Sequence, residues 1–310
     1  MTTTTGDLFA IMLRLHPVEA KKVPLSSGHL IQSAFLDIIR QGDPTLSEWL
    51  HRPNQRRPYT LGLLGFHHLS TKQRIAAMYE NRMMEVMPGQ YYWLRITLLD
   101  TTLFQTFLQY LITKAHALRV RIGEAHFEIS RILSSTEPEQ AQQSWAGHTT
   151  FQDLHALEPA RKRYPFEFAS PTAFSKGQRP WGKMLTLLPE PSTVFESLAR
   201  QWETFAPAGL HLSDEGLTAR QFEAWCMENI VVQHYDLQTC YVPAGNFGHT
   251  GFLGEITYEV KGNPGSPEAR WLTTLARFAF YSGTGSKTTM GMGQTRCIVQ
   301  EIQPKALKEA

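Results

Sequence analysis

Leu8-Phe-Ala-Ile-Met-Leu-Arg-Leu15, closed by His16-Pro17, is the stretch from which the fold follows. It is short and almost wholly apolar, and its proline cannot extend a hydrogen-bonded ladder, so a buried strand is expected. Leu30, Ile31, Ala34, Phe35, Ile38 and Ile39 then recur at helical spacing, with Ser26 and Ser27 as candidate caps. Pro58 to Phe66 and Tyr91 to Leu99 read as strands. Asp100 caps a second amphipathic helix carrying Leu103, Phe104, Phe107, Leu108, Leu111 and Ile112, and His126 to Leu133 closes the series. The order β-α-β-β-α-β is the ferredoxin-like plan.

The plan repeats. Ser134 to Gln143 is polar and serves as the expected linker, dividing the chain into residues 1–143 and 144–310. Phe166 to Ala169 is a strand, and Val194, Phe195, Leu198, Trp202 and Phe205 form a helical stripe. Ile230 to Val242 and Gly251 to Val260 pair as a hairpin. Trp271, Leu272, Leu275, Phe278 and Ala279 give the last helix, before a strand from Thr295 to Ile302. One inserted helix presents Phe222, Trp225, Cys226 and Ile230 on a single face. The expected class is α+β, with two tandem ferredoxin-like domains (βαββαβ, as in RRM domains). The aromatic stripes are core positions, since the Lys/Arg-Gly-Phe/Tyr-x-Phe pattern of RNA-stacking sheets does not occur.

Composition narrows the class further. The chain has 310 residues, 42% of them hydrophobic, enough for two domains with cores. A net charge of +2 supplies no whole-molecule attraction for nucleic acid, so any such surface comes from local clustering of the 30 Lys and Arg. Cys226, Cys240 and Cys297 form no zinc-type pair and suit a reducing cytoplasm. The start lacks the pattern of a secretion signal, and no apolar run approaches the ~18 residues of a membrane span.

Gly283-Thr-Gly285-Ser286-Lys287-Thr-Thr-Met-Gly291-Met-Gly293 joins the last helix to the last strand. Glycines permit positive φ and close approach of a ligand, consecutive free N–H groups cradle anions, and Lys287 adds charge. That combination suits a phosphodiester backbone; a tight turn with purely local use for its glycines is the alternative. Lys176-Gly-Gln-Arg179-Pro-Trp-Gly-Lys183 combines cations with an exposed aromatic, as a flexible RNA-contacting hairpin does, or an ordinary one. Arg161 to Arg163 and the pair Arg119 and Arg121 are further basic positions.

RNA is cut without metal when its own 2′-hydroxyl attacks the adjacent phosphorus. The step needs a base, an acid for the departing 5′-oxygen, and a cation for the phosphoryl charge. Histidine and arginine fit those roles. His51, Arg52, Arg56 and Arg57 share one short polar segment with Pro53 and Pro58, expected as a loop between helix and strand; a solvated connection is the alternative. His67-His68 faces opposite ways on a strand, and no His-Glu-x-x-His or carboxylate cluster points to a metal. No cofactor is expected.

Three segments, in chain order, resemble the CRISPR-associated repeat-RNA endoribonucleases, family six of the RAMP superfamily. They are Ser27 to His51 with Pro58-Tyr-Thr60, then Phe168-Ala-Ser-Pro-Thr-Ala-Phe174, and then Phe280 to Gly293. The resemblance implies two ferredoxin-like domains and cleavage of CRISPR precursor RNA to a 2′,3′-cyclic phosphate and a 5′-hydroxyl. It implies His51 as general acid/base and Arg57 as charge stabiliser. Arg52, Arg56, Lys176, Arg179, Gly283, Gly285, Ser286, Lys287, Gly291 and Gly293 are then the expected RNA contacts. Some members carry an activating tyrosine where this chain has Leu36; His29, in the same helix, is the candidate substitute, or else a plain helix-terminus residue. Partners are precursor and mature guide RNA and an effector complex, for a monomer or homodimer. A RAMP subunit that binds guide RNA without cutting is the competing reading.

Overall fold

β1 (Asp7–Pro17) is the spine of the first sheet in the computed structural model, which describes residues 6–53, 55–65, 69–79, 83–114, 118–134, 145–156, 160–244 and 247–298. After it come β2 (Lys21–Pro24), α1 (Gly28–Gly42), α2 (Pro44–His51), β3 (Tyr59–Leu61) and α3 (Thr71–Tyr79). Then follow β4 (Met83–Val86), β5 (Tyr92–Leu98), α4 (Thr101–Thr113), β6 (Arg119–Ile122), β7 (Ala125–Leu133) and β8 (Gly147–Thr150). The strands lie in the order β3-β5-β1-β7-β6, and β8 continues along the β7 side of β1. The four central strands thus have the antiparallel ferredoxin-like order. Alternation decides the faces: Phe9, Ile11, Leu13 and Leu15 meet Ile31, Phe35, Leu103 and Phe107 in one core.

Several details depart from expectation. The strand foreseen over Pro58 to Phe66 keeps ladder pairing only over Tyr59–Leu61, because the chain turns away after Gly62. Phe66 and the His67-His68 pair lie outside the described residues, as does nearly all of the foreseen linker. The β2–β4 ribbon and α3 were not foreseen; four-residue strands are too short to show a period. Asp100 caps α4 as expected, accepting from the Leu103 N–H at 2.7 Å. Ser27 occupies the α1 cap position without bonding, its Oγ buried and unpartnered.

The second unit comprises α5 (Phe151–His155), β9 (Arg163–Thr172), β10 (Phe174–Arg179), β11 (Gly182–Thr186) and α6 (Pro191–Phe205). It continues with α7 (Ala219–Asn229), β12 (Ile230–Ala244), β13 (Phe247–Val260), α8 (Pro267–Ser282) and β14 (Thr295–Cys297). Its order, β12-β13-β9-β14, repeats the first sheet's plan. α6 and α8 bury Phe195, Leu198, Trp202, Trp271, Leu275 and Phe278 against Phe166, Phe168 and Tyr258. The tandem ferredoxin-like expectation holds, with β10–β11 and α7 as insertions. β14 is described only to Cys297, and residues 299–302 of the foreseen last strand lie outside the described part.

A buried polar joint locks the two units together. Arg95 of β5, fully buried, donates to the Trp145 carbonyl at 2.8 Å, to Gln294 Oε1 at 2.5 Å and to the Phe280 carbonyl at 2.6 Å. Its guanidinium lies over the rings of Trp145 and Phe280. Gln294 Nε2 reaches back to Thr60 Oγ1 at 3.1 Å, and Thr97 Oγ1 donates to the Tyr281 carbonyl at 2.6 Å. Burial pushes Arg95 down to about 9, so it remains charged at neutral pH.

Candidate nucleic-acid interface

The sequence places His51 in a loop; the structure makes it the last residue of α2. Asp43 causes this. Its carboxylate caps Leu46 N–H at 2.9 Å and Pro44 sits at the first helical position, so a second helix starts directly after α1 ends. The His51 side chain is exposed, and its Nδ1 lies 2.8 Å from the Ser47 carbonyl. A carbonyl only accepts, so Nδ1 carries the proton and the neutral ring keeps Nε2 as its basic nitrogen.

Arg57 closes the end of the same helix. Its Nε donates to the Leu50 carbonyl at 2.6 Å and its Nη2 to the Arg52 carbonyl at 3.4 Å, and Gln55 Nε2 bonds the Trp49 carbonyl. These side chains satisfy carbonyls that a helix end leaves open. Arg57 is thereby fixed next to Leu50, the neighbour of His51. Arg52 and Arg56 are exposed.

The glycine-rich loop corrects the expected row of free N–H groups. Thr284 N–H donates to Gly293 O at 2.8 Å, Ser286 N–H to Ala173 O at 2.9 Å and Gly293 N–H to Pro171 O at 2.9 Å. Gly285 N–H bonds Ser197 Oγ at 3.3 Å. The glycines serve close packing instead. A Cβ on Gly293 would stand 2.2 Å from Thr284 O, one on Gly285 2.5 Å from Ala173 O, and both have positive φ. Gly28 of α1 rests on the loop so closely that a Cβ there would lie 1.8 Å from Met290 O. The loop's chemistry falls to Lys287, Thr288 and Thr289.

Those residues face the histidine segment across a cleft. A cavity of about 400 Å³ is lined by Gln32, Arg56 and Arg57 on one side and by Lys287, Thr288 and Thr289 on the other. Gln32 Nε2 bridges the two walls by bonding Tyr59 Oη at 3.2 Å and Thr289 Oγ1 at 3.0 Å. A second cavity, about 460 Å³, continues past Arg56 to Lys176, Glu196, Arg200 and Ser286. Crowding by protein atoms first, and then the Arg200 charge, hold Arg56 below the ordinary arginine value.

The remaining candidates are distributed around this cleft. Lys176, on β10, is drawn to α6 by a 3.1 Å bond to Thr193 Oγ1. Arg179 and Trp181 project at the exposed hairpin end, with Trp181 73% exposed, as its sequence context suggests. His29 is exposed in the first turn of α1, one turn from Gln32; its carbonyl accepts from Ser33 Oγ at 3.0 Å. Leu36 is buried in the first core. Arg119 pairs with Glu128 across the β6 edge at 2.8 Å, as a charged strand edge.

His249 escaped the sequence, and it meets Lys183 of the basic hairpin segment that the sequence already marked. His249 of β13 contacts the Lys287 ammonium through Nε2, and Lys183 of β11 lies near enough to depress both. Burial is the larger cause for each, lowering His249 and Lys287 from their ordinary values. No local pattern marks a lone histidine after Gly248; only the hairpin geometry brings it to the loop. Among the described residues, no group of three or more His, Cys, Asp or Glu is arranged to hold a metal ion, and no helix is long and apolar enough to cross a membrane.

Comparison with known proteins adds a second line. A family model for the CRISPR Cas6 N-terminal domain matches residues 8–156, and one for the CRISPR-associated endoribonuclease Cas6 matches residues 166–295. The curated Cas6 endoribonuclease of Mycobacterium tuberculosis is 27% identical over 155 residues, which span 50% of this chain and 44% of that relative. A Thermus thermophilus Cas6 in its product complex is 26% identical, covers 94% of this chain and 99% of its own, and superposes with a TM-score of 0.73. A second Cas6 product complex, also 26% identical with the same coverage, gives 0.65.

Proposed function

The chain belongs to the CRISPR-associated endoribonuclease Cas6 family, and from that premise we propose that it cleaves CRISPR precursor RNA within its repeats. The observation that supports this reading is the cleft, which Arg56 and Arg57 line together with Lys287 and Thr288, so that cations from both units converge on one cavity. His51 stands at the end of the helix that Arg57 caps.

In this reading the 2′-hydroxyl attacks its own phosphodiester, without metal, and leaves a 2′,3′-cyclic phosphate and a 5′-hydroxyl. His51, its tautomer set by the Ser47 carbonyl, presents Nε2 as the acid/base. His29 is its complement, in place of the tyrosine that Leu36 replaces. Arg57 stabilises the charge on the phosphoryl oxygens, and its existing bonds to helix carbonyls preorganise its position. Arg52, Arg56, Lys176, Arg179 and Lys287 hold the repeat, while Gly283, Gly285, Ser286, Gly291 and Gly293 shape the loop that presents Lys287. The expected division at 143/144 separates the unit bearing the histidine from the unit bearing the loop, although β8, just beyond it, pairs with β1 of the first sheet. The protein works in the cytoplasm, stays bound to its guide RNA and joins an effector complex, as a monomer or homodimer.

End-labelled repeat transcripts incubated in excess EDTA test this. Cutting at one site, lost in His51→Ala and blocked by a 2′-deoxy at the scissile nucleotide, is the expected result. Two observations favour a second reading, a guide-RNA subunit that binds without cutting. Leu36 is buried in the core, and Arg57 already spends donors on Leu50 and Arg52. Tight repeat binding with no product from the parent protein would select it.

A further inference from the structure

The contact between Lys287 and His249 has a chemical consequence. An ammonium has donors only, so the ring nitrogen that receives it must be unprotonated. His249 is therefore neutral in the free protein, with its proton on Nδ1. Lys183 adds a second positive charge from the hairpin.

We propose that Lys287, His249 and Lys183 form one phosphodiester subsite beside the cleft, entered from it through Lys287, in which His249 gains a proton when RNA binds. The inference rests on the RNA-binding reading above and goes beyond it by assigning a site and a proton. An incoming phosphate oxygen takes the Lys287 ammonium from His249. The freed Nε2 then picks up a proton from solvent and becomes a third donor to the same phosphate.

The surroundings support an anion here. Lys287 is the one non-glycine residue with positive φ among those described, standing in a loop where four glycines already meet that need. A lysine kept in a conformation that glycine would adopt more easily suggests a role for its side chain. The charged groups near His249 are otherwise basic or already engaged. On α3, which packs against β12 and β13, Arg74 is bound to Glu167 and Lys72 is exposed. On β12 the partner of His249 is Val242, and Tyr241 covers Gly248. The next carboxylate along β13 is Glu255, six residues away, or about 20 Å along an extended strand. Glu196, in the adjoining cavity, is held by Arg200 at 2.5 Å.

The sign follows from linkage. His249 is held low in the free protein, and a bound phosphate raises it, so binding strengthens as pH falls between those two values. One linked proton changes affinity by up to about tenfold per pH unit. The test measures binding of repeat RNA carrying a 2′-deoxy at the cleavage site, at constant salt, near about pH 6 and about pH 8. His249→Gln can still accept from Lys287 but cannot titrate, so it separates protonation from mere support. The parent should bind several-fold more tightly at the lower pH, and His249→Gln should lose most of that difference. Lys183→Met, at an exposed position, should weaken binding at both pH values. An equal pH dependence in parent and His249→Gln overturns this subsite while leaving the RNA-binding reading intact. A parent protein that binds repeat RNA at neither pH overturns both.

Discussion

The loop wall of the cleft is fixed by backbone packing, whereas the histidine wall is held by side chains at the end of a short helix. Across the loop, Gly28, Gly285 and Gly293 bring main chain against main chain, and a single added Cβ would collide with a carbonyl oxygen at each. On the opposite wall Arg57 and Gln55 tie the segment down through side-chain bonds to carbonyls, and His51 and Arg52 stand exposed where that segment leaves α2. One wall therefore serves as a rigid template, and the other carries groups that can be exchanged without disturbing the fold. Reacting groups need freedom to reorganise protons, while phosphate recognition gains from a preset geometry.

Substitutions at the two walls should dissociate activity from stability. His51→Ala is expected to lower cleavage by roughly 10²- to 10⁴-fold, the usual contribution of a general acid/base, while unfolding free energy moves by less than about 0.5 kcal/mol. Gly293→Ala should do the reverse in kind. Its φ of 72° and the 2.2 Å approach to Thr284 O combine a left-handed strain with overpacking, together about 2–4 kcal/mol. Denaturant titration and single-turnover cleavage of both variants check the pair. A His51→Ala protein that unfolds as readily as Gly293→Ala would remove the distinction between the walls.

Arg95 is the next lever, because it ties Gln294 at the loop's end to the first sheet. Arg95→Met strands the carbonyls of Trp145 and Phe280 but also removes a buried charge, and these opposed effects leave a loss of about 2 kcal/mol. Arg95 is depressed to about 9, and both folded and unfolded chains are charged below that. The difference between parent and variant should thus be flat across neutral pH. Above about 9 the folded parent sheds the proton first, and its stability relative to the variant rises with pH. A difference that varied between about pH 6 and 8 would mean that some other group titrates against this joint.

How much of this was legible beforehand differs along the chain for physical reasons. α1, α4, α6 and α8 carry long, strongly periodic stripes and β1 an unbroken apolar run, and each lies where that pattern places it. α2 was hidden because eight residues with a proline at the start show no stripe, although Asp43-Pro44 is a legible start signal. The glycine loop was correctly located, but the N–H groups of Thr284, Gly285, Ser286 and Gly293 are engaged rather than free. Sequence shows that glycines are present, while only the fold shows that Pro171, Ala173 and Ser197 take those donors. His249 and Lys183 belong to the loop site through the β12–β13 and β10–β11 hairpins, and no spacing in one strand reveals a meeting between two.

The smallest expected effect distinguishes two cations of the β10–β11 hairpin. Lys176 is bound to Thr193 on α6 and faces the inner cavity, so its position is set before RNA arrives. Arg179 lies at the exposed end, where its Nη1 donates to the Gln178 carbonyl at 3.5 Å and its own carbonyl accepts from Gln178 Nε2 at 3.4 Å. Each phosphate contact contributes about one unit to the slope of log affinity against log salt. Lys176→Ala should reduce that slope by about one, whereas Arg179→Ala, at an exposed side chain sharing its load with solvent, should change it by less. Both should weaken binding several-fold at most and leave the cleavage step of bound RNA unaltered. An Arg179→Ala variant with the larger loss of slope would place the RNA over the hairpin tip, and would make the inner cavity a passage for something other than backbone phosphate.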